Sequence, residues 1–172
     1  MTFRNLYRKS AIALAVTGAL AGGQVIADDT DSLMVMAVVE ATCTIQSVDV
    51  LDFGTLDLVS DVQQTADITW VCTNNFDTTI SLDGGESNDI ANRRMTGTAN
   101  GDTIPYQLYT DNTYSSGGSV FGDSNTGNPV AVTGAGFGNP RTTTVYGELI
   151  ATDAENVQAD NYDDDVTVTI AF

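Results

Sequence analysis

Residues 66–73 set the terms for the fold. Ala66, Ile68, Trp70 and Cys72 alternate with Asp67, Thr69, Val71 and Thr73, so one phase is apolar and the other largely polar. Successive side chains of a strand point to opposite faces, and this pattern describes a strand with one face buried. A helix would spread the same apolar set around its circumference. The pattern recurs at the C-terminal end, where Val166, Val168, Ile170 and Phe172 alternate with Thr167, Thr169 and Ala171. Residues 142–151 repeat it, with Val145, Gly147, Leu149 and Ala151 in phase. Beyond the first 27 residues no segment sustains a helical period, so the expected fold is all-β.

The remaining segments fit that class. Cys43, Ile45, Val48, Val50, Leu51 and Phe53 read as a strand whose phase is interrupted, ending in a turn at Gly54. Residues 76–82 form another, closed by the turn signal Asp83-Gly84-Gly85. Asn100-Gly101 marks a hairpin turn, and residues 104–109 follow as a single strand with Pro105 near its start, where a missing N–H is tolerated. Residues 112–140 are different: seven glycines (117, 118, 122, 127, 134, 136, 138) lie among Ser, Thr and Asn. Only Val120-Phe121 and Val130-Ala131-Val132 suggest short strands there. Trp70, in phase with Cys72, is expected in the core beside it.

Composition narrows the function. Arg4, Arg8 and Lys9 precede an apolar run from Ala11 to Ala21, and small or apolar residues lie before Asp28. That is the pattern of a cleaved signal peptide over residues 1–27, and the run is too short for a spanning helix. Cys43 and Cys72 are the only cysteines, and an even pair in an exported chain reads as a disulfide. After residue 27 only Arg93, Arg94 and Arg141 face 23 acidic residues. Such a surface repels nucleic acid and anionic membranes. The chain has no histidine, the commonest general base, and no lysine after Lys9. No enzyme activity and no cofactor are expected. Asp160, Asp163, Asp164 and Asp165 are dense oxygen donors, but their spacing is not that of a calcium loop; solvated turn residues are the simpler reading.

Residues 33–39, Leu-Met-Val-Met-Ala-Val-Val, are apolar on both phases, and the leader offers nothing to pair with them. A strand with free backbone groups and no Lys or Pro to block pairing is a hazard that soluble proteins suppress. Here Asp28, Asp29 and Asp31 keep it in water, which suggests a strand destined for another molecule's sheet. An ordinary first strand of the chain's own sheet is the alternative. Of the two registers, Leu33, Val35, Ala37 and Val39 are the better inward set, because Ser32 and Glu40 bracket the even set and suit an outward face.

The ordered series formed by this apolar strand, Cys43-Thr44-Ile45, Leu51-Asp52-Phe53-Gly54-Thr55-Leu56, Ile68 to Cys72, Ser81-Leu82-Asp83-Gly84-Gly85, Arg94-Met95, residues 105–111, Gly147-Glu148-Leu149 and residues 161–169 resembles the spore coat protein U domain family. That family includes subunits of archaic chaperone–usher pili. The resemblance spans nearly all of the chain after the leader and is weakest over residues 112–140. It implies an incomplete immunoglobulin-like β-sandwich, residues 42–172, completed by a donor strand carried on residues 28–41. It further implies a periplasmic pilus chaperone that lends a strand, an outer-membrane usher, and neighbouring pilin subunits whose N-terminal strands replace the chaperone's. Val166, Val168, Ile170 and Phe172 would then line the acceptor groove, with the terminal carboxylate held by basic residues of the chaperone. The destination would be an extracellular, cell-surface fimbria serving adhesion or biofilm formation, without membrane insertion. Two other readings compete. One is an eight-stranded outer-membrane β-barrel; the other is a self-complete exported β-sandwich that binds a ligand.

Overall fold

The computed structural model describes residues 28–172; the expected signal peptide lies outside the described residues. Two units divide the chain, one ending at Ala37 and one running from Val38 to Phe172. Residues 28–42 carry no regular secondary structure. The second unit contains ten strands: β1 (Cys43–Val48), β2 (Val62–Cys72), β3 (Asp77–Leu82), β4 (Arg94–Gly97), β5 (Thr103–Pro105), β6 (Gln107–Tyr109), β7 (Val130–Thr133), β8 (Arg141–Leu149), β9 (Tyr162–Asp163) and β10 (Val168–Ala171).

They form three open sheets with strand orders β1-β2-β8-β6, β10-β3-β7 and β5-β4-β9. Every pairing is antiparallel. No sheet among the described residues closes on itself, which sets aside the barrel reading. Among the described residues no helix is long and apolar enough to cross a membrane. The main core is built from the inward phases of the first two sheets, as in a sandwich of facing sheets. The alternation at 66–72 comes out as expected, with Ala66, Ile68, Trp70 and Cys72 buried. Trp70 keeps its indole N–H satisfied by donating to Thr143 Oγ1 at 3.0 Å. A second cluster forms around Ile104, Leu149 and Ala154, covered by Leu56, Leu58, Val157 and Tyr162.

Cys43 and Cys72 are directly opposed in the β1–β2 ladder and joined by a disulfide. The first strand is shorter than expected: a bulge between Ile45 and Ser47 re-aims it, β1 ends at Val48, and Val50, Leu51 and Phe53 follow outside any strand.

Three further sequence expectations are corrected. Residues 104–109 form two strands in different sheets: β5 pairs with β4, the Tyr106 N–H carries that register one step further by donating to the Arg93 carbonyl, and from Gln107 the chain pairs with β8 instead. Val120 and Phe121 make only isolated bridges, since Asp123 accepts from the N–H of Asn125 and Thr126 and turns the chain at once. Ala151 lies past the end of β8, in a short 3-10 turn whose first N–H is held by Asp61. The expected strand at 130–132 is present as β7.

Candidate functional site

β10 pairs with β3 on one side only, and β1 pairs with β2 on one side only. The two strands therefore present free edges toward the same flank of the sandwich. Between them runs a groove of about 290 Å³, with Ile68, Leu82, Leu108 and Val145 at its base and Leu51, Phe53, Val166 and Val168 on its walls. Ile45, Leu51, Phe53, Val166, Val168 and Ile170 pack on the core yet stay half-buried. A row of partly wetted apolar residues over a packed core is the mark of a face that expects a cover.

The local sequence explains the groove's shape. The segment after β1 approaches β8 closely: a Cβ at Gly147 would lie 2.7 Å from a Leu51 methyl. Glycine there lets Leu51 and Phe53 lie against the sheet as one wall. The opposite wall is β10, whose register places Val168 beside Leu82 and Ile170 beside Ile80. Thr78 Oγ1 donates to the Ala171 carbonyl, fixing the end of this strand.

Of the expected groove residues, Val166, Val168 and Ile170 lie on one side of the strand line and are half-buried, and Val166 and Val168 line the groove. Phe172 follows the last ladder residue and is 66% exposed. The expected donor residues Leu33, Val35 and Val39 are each more than 80% exposed, and Ala37 is exposed as well. Met34, Met36 and Val38 are exposed to the same degree, so exposure does not separate the two registers.

Polar groups pin one end of the groove. Asp164 accepts from the Tyr106 hydroxyl at 2.6 Å and from the Glu86 N–H at 2.8 Å. Burial, reinforced by the hydrogen bond to Asp164, drives the Tyr106 hydroxyl far above its ordinary value. Sequence reasoning missed Arg93. Its side chain is fully buried, and its guanidinium donates to the carbonyls of Leu82, Asp83 and Phe121 and to Gln107 Oε1. Burial lowers its pKa while Tyr106, Asp83 and Asp164 pull it back up; it remains a cation. The available signal was its scarcity, as one of only three basic residues after the leader.

Of the four aspartates at 160–165, Asp160 and Asp164 accept from backbone N–H groups. Asp160 accepts from the N–H groups of Ala99, Asn100 and Asn161. Among the described residues, no group of three or more His, Cys, Asp or Glu is arranged to hold a metal ion. The groove offers a backbone edge and apolar walls, which suit an extended apolar chain.

The family model for the Spore Coat Protein U domain matches residues 29–169. Among solved structures, a similar one is the crystal structure of the CsuC–CsuE chaperone–tip adhesion subunit pre-assembly complex from archaic chaperone-usher Csu pili of Acinetobacter baumannii. The likeness has a TM-score of 0.50 and 20% identity, covering 78% of this chain and 40% of that chain. The chain thus spans well under half the length of the structure it matches, and the likeness bears on the fold. No curated protein matches the chain.

Proposed function

The chain belongs to the Spore Coat Protein U domain family, and from that premise we propose that it is a structural subunit of a chaperone–usher pilus. In this reading residues 1–27 direct export, residues 28–41 are the donor segment, and residues 42–172 are an incomplete sandwich. A periplasmic chaperone covers the groove first; at the outer-membrane usher, residues 33–39 of the next copy take its place. The product is a cell-surface fimbria for adhesion or biofilm formation, and the subunit's role is structural rather than catalytic.

The observation that carries this reading is the pairing of an open-edged, half-wetted apolar groove with an exposed apolar segment of strand length. Seven residues of strand extend about 23 Å, comparable to the line from Val166 to Phe172. Burying Leu33, Val35 and Val39 contributes on the order of 5 kcal/mol. Fixing the backbone of seven residues costs about 7–14 kcal/mol, so the side chains of the donor alone are insufficient. The balance has to come from the backbone ladder to β10 and from covering the groove's own half-buried wall. A free segment in water is accordingly not self-structuring, and the groove is what orders it. A contact of this head-to-tail kind does not close on itself and generates a filament.

Deleting residues 28–40 and co-expressing the chain with its chaperone and usher tests the assignment. The truncated chain is expected to bind the chaperone and to form no polymer. Polymer of unchanged length would overturn it. So would a full-length chain that purifies as a stable monomer without any chaperone.

A further inference from the structure

The two ends of the sandwich are chemically unlike, and each carries a feature the donor-strand reading leaves unused. At one end β2 finishes at Cys72 opposite the start of β8. Residues 134–140 project here, tied down where the Gly134 carbonyl accepts from Asn75 N–H and Gly136 N–H donates to the Cys72 carbonyl. At the tip stands Phe137, 50% exposed between Gly136 and Gly138. The N-terminal segment leaves from this same end. Thr42 N–H donates to Thr73 Oγ1, the Thr73 hydroxyl lies within reach of the Glu40 carbonyl, and Thr73 N–H donates to the Thr42 carbonyl.

At the other end, where Val62 pairs with Leu149, lies a second cleft of about 650 Å³, walled by Leu56, Leu58, Met95, Ile104, Val157 and Tyr162. It adjoins the groove, since Leu51 and Phe53 line both. Eleven residues of β2 hold the two ends about 36 Å apart, so Phe137 cannot reach its own cleft.

We propose that Phe137 of one copy seats in the 51–58/157–162 cleft of the preceding copy, forming a second contact between neighbours beside the inserted strand. The proposal rests on the donor-strand reading, and geometry then fixes the occupant. If an inserted segment left the acceptor groove at the Cys72 end, each subunit would have both neighbours crowded at one end, and no fibre could grow. It must leave at the Val62 end, which makes it antiparallel to β10. Only residues 40–42, about 10 Å of chain, then separate the inserted strand from the next subunit's Cys43. The Phe137 end of the incoming copy is thereby held against the cleft end of its neighbour at high effective concentration. The cleft is of mixed character, with Asp52, Thr55, Gln158, Asp160 and Asn161 along its polar side, and the glycine-flanked ring has room to lie against its apolar side, formed by Leu56, Leu58, Met95, Ile104 and Val157.

The test is a disulfide pair in assembled fibres: Phe137→Cys with Val157→Cys, expressed in the same chain with the native disulfide intact. The expected result is a ladder of multimers that survives boiling without reductant and collapses to monomer with it. Each single variant should give a ladder lost on boiling in either condition. If the double variant makes fibres whose ladder is lost on boiling under both conditions, the second contact is refuted while the donor-strand reading stands. If the unsubstituted chain makes no boiling-sensitive ladder at all, the donor-strand reading has failed and this one with it. As a second measurement, Phe137→Asp should leave subunit incorporation unchanged and make the fibres visibly more flexible by electron microscopy. Unaltered fibre bending would count against the contact.

Discussion

The Tyr106 hydroxyl donates to Asp164 Oδ2 at 2.6 Å, bridging the break between β5 and β6 to the segment that leads into β10. The bond ties the groove wall to the core through the residue at which the chain passes from pairing with β4 to pairing with β8. Tyr106→Phe keeps the ring and removes only the hydroxyl. Because water still reaches Asp164, the expected loss is about 1.5–2 kcal/mol, the lower part of the range for hydrogen bonds to charged groups. Urea denaturation of the subunit complemented with a donor peptide measures it, and a loss below the error of the method would show the bond to be dispensable.

Arg93 is the sandwich's most exacting side chain, a fully buried cation that satisfies three carbonyls and one amide oxygen. Arg93→Ala strands those acceptors, and at about 1–3 kcal/mol for each buried group left unsatisfied the expected cost is at least about 3 kcal/mol, enough to lose most soluble subunit. Arg94→Ala, one residue on and exposed, should change stability by less than about 0.5 kcal/mol. Comparable losses at both positions would contradict the role assigned to burial.

The disulfide closes a loop with a sequence separation of 29. On the chain-entropy argument its removal by Cys43→Ser with Cys72→Ser costs about 3–4 kcal/mol. A midpoint in urea that is the same for oxidised and reduced protein would show that the bond adds nothing to the unaided ladder.

Acid and alkali should destabilise the subunit through different groups. Asp160 lies below its ordinary value of 3.8, chiefly through the backbone N–H of Ala99 and then Asn100. Asp83 also lies low: burial pushes it up, but hydrogen bonds from Thr167 and Gly85 outweigh that. A carboxylate held low in the folded state contributes stability above the unfolded value, lost as pH falls through the folded one. The expected acid limb therefore begins near pH 3.8 and steepens below it, and Asp160→Asn should flatten it. Tyr106 behaves oppositely. Its ordinary value is 10.0 and burial holds it higher, so stability should fall as pH rises above 10. In Tyr106→Phe that contribution to the alkaline limb should vanish. Denaturation midpoints across the pH range measure both limbs.

Register in the donor segment is decided by a paired substitution. With Leu33, Val35, Ala37 and Val39 inward, Val35→Asp should abolish polymer or cut its length several-fold, while Met36→Asp should leave most of it. The measurement is ladder length on unboiled gels, and the reverse ordering would assign the even set to the groove.

Strands β2, β8 and β10 were legible because burial of one face writes period two into the sequence. The β7 segment was visible as a short apolar run. Strands β5 and β6 were not separable, because nothing in Ile104-Pro105-Tyr106-Gln107 announces that the chain changes its partner from β4 to β8 after Tyr106. Residues 112–140 resisted reading for a related reason. Their order comes from side chains bonding to nearby backbone, as Asp111 does to Thr113 and Ser119 and Asp123 does to Asn125 and Thr126. Such turns leave no periodic trace. In the candidate site, the apolar arm and β10 were apparent from their side chains. The opposite wall was not, since it depends on Leu51 meeting a glycine almost a hundred residues later.

The bond between Cys43 and Cys72 also determines where a pull on the N-terminal arm would go. Cys43 is the first residue of β1, an edge strand, and unaided it would unzip from its end one hydrogen-bonded pair at a time. Its sulfur is instead anchored to the last residue of β2, which lies inside the sheet with β8 on its far side. Tension arriving from an adjoining subunit in the proposed fibre would therefore bypass the weakest strand and be shared across the interior of the sheet, making the arm mechanically an extension of β2.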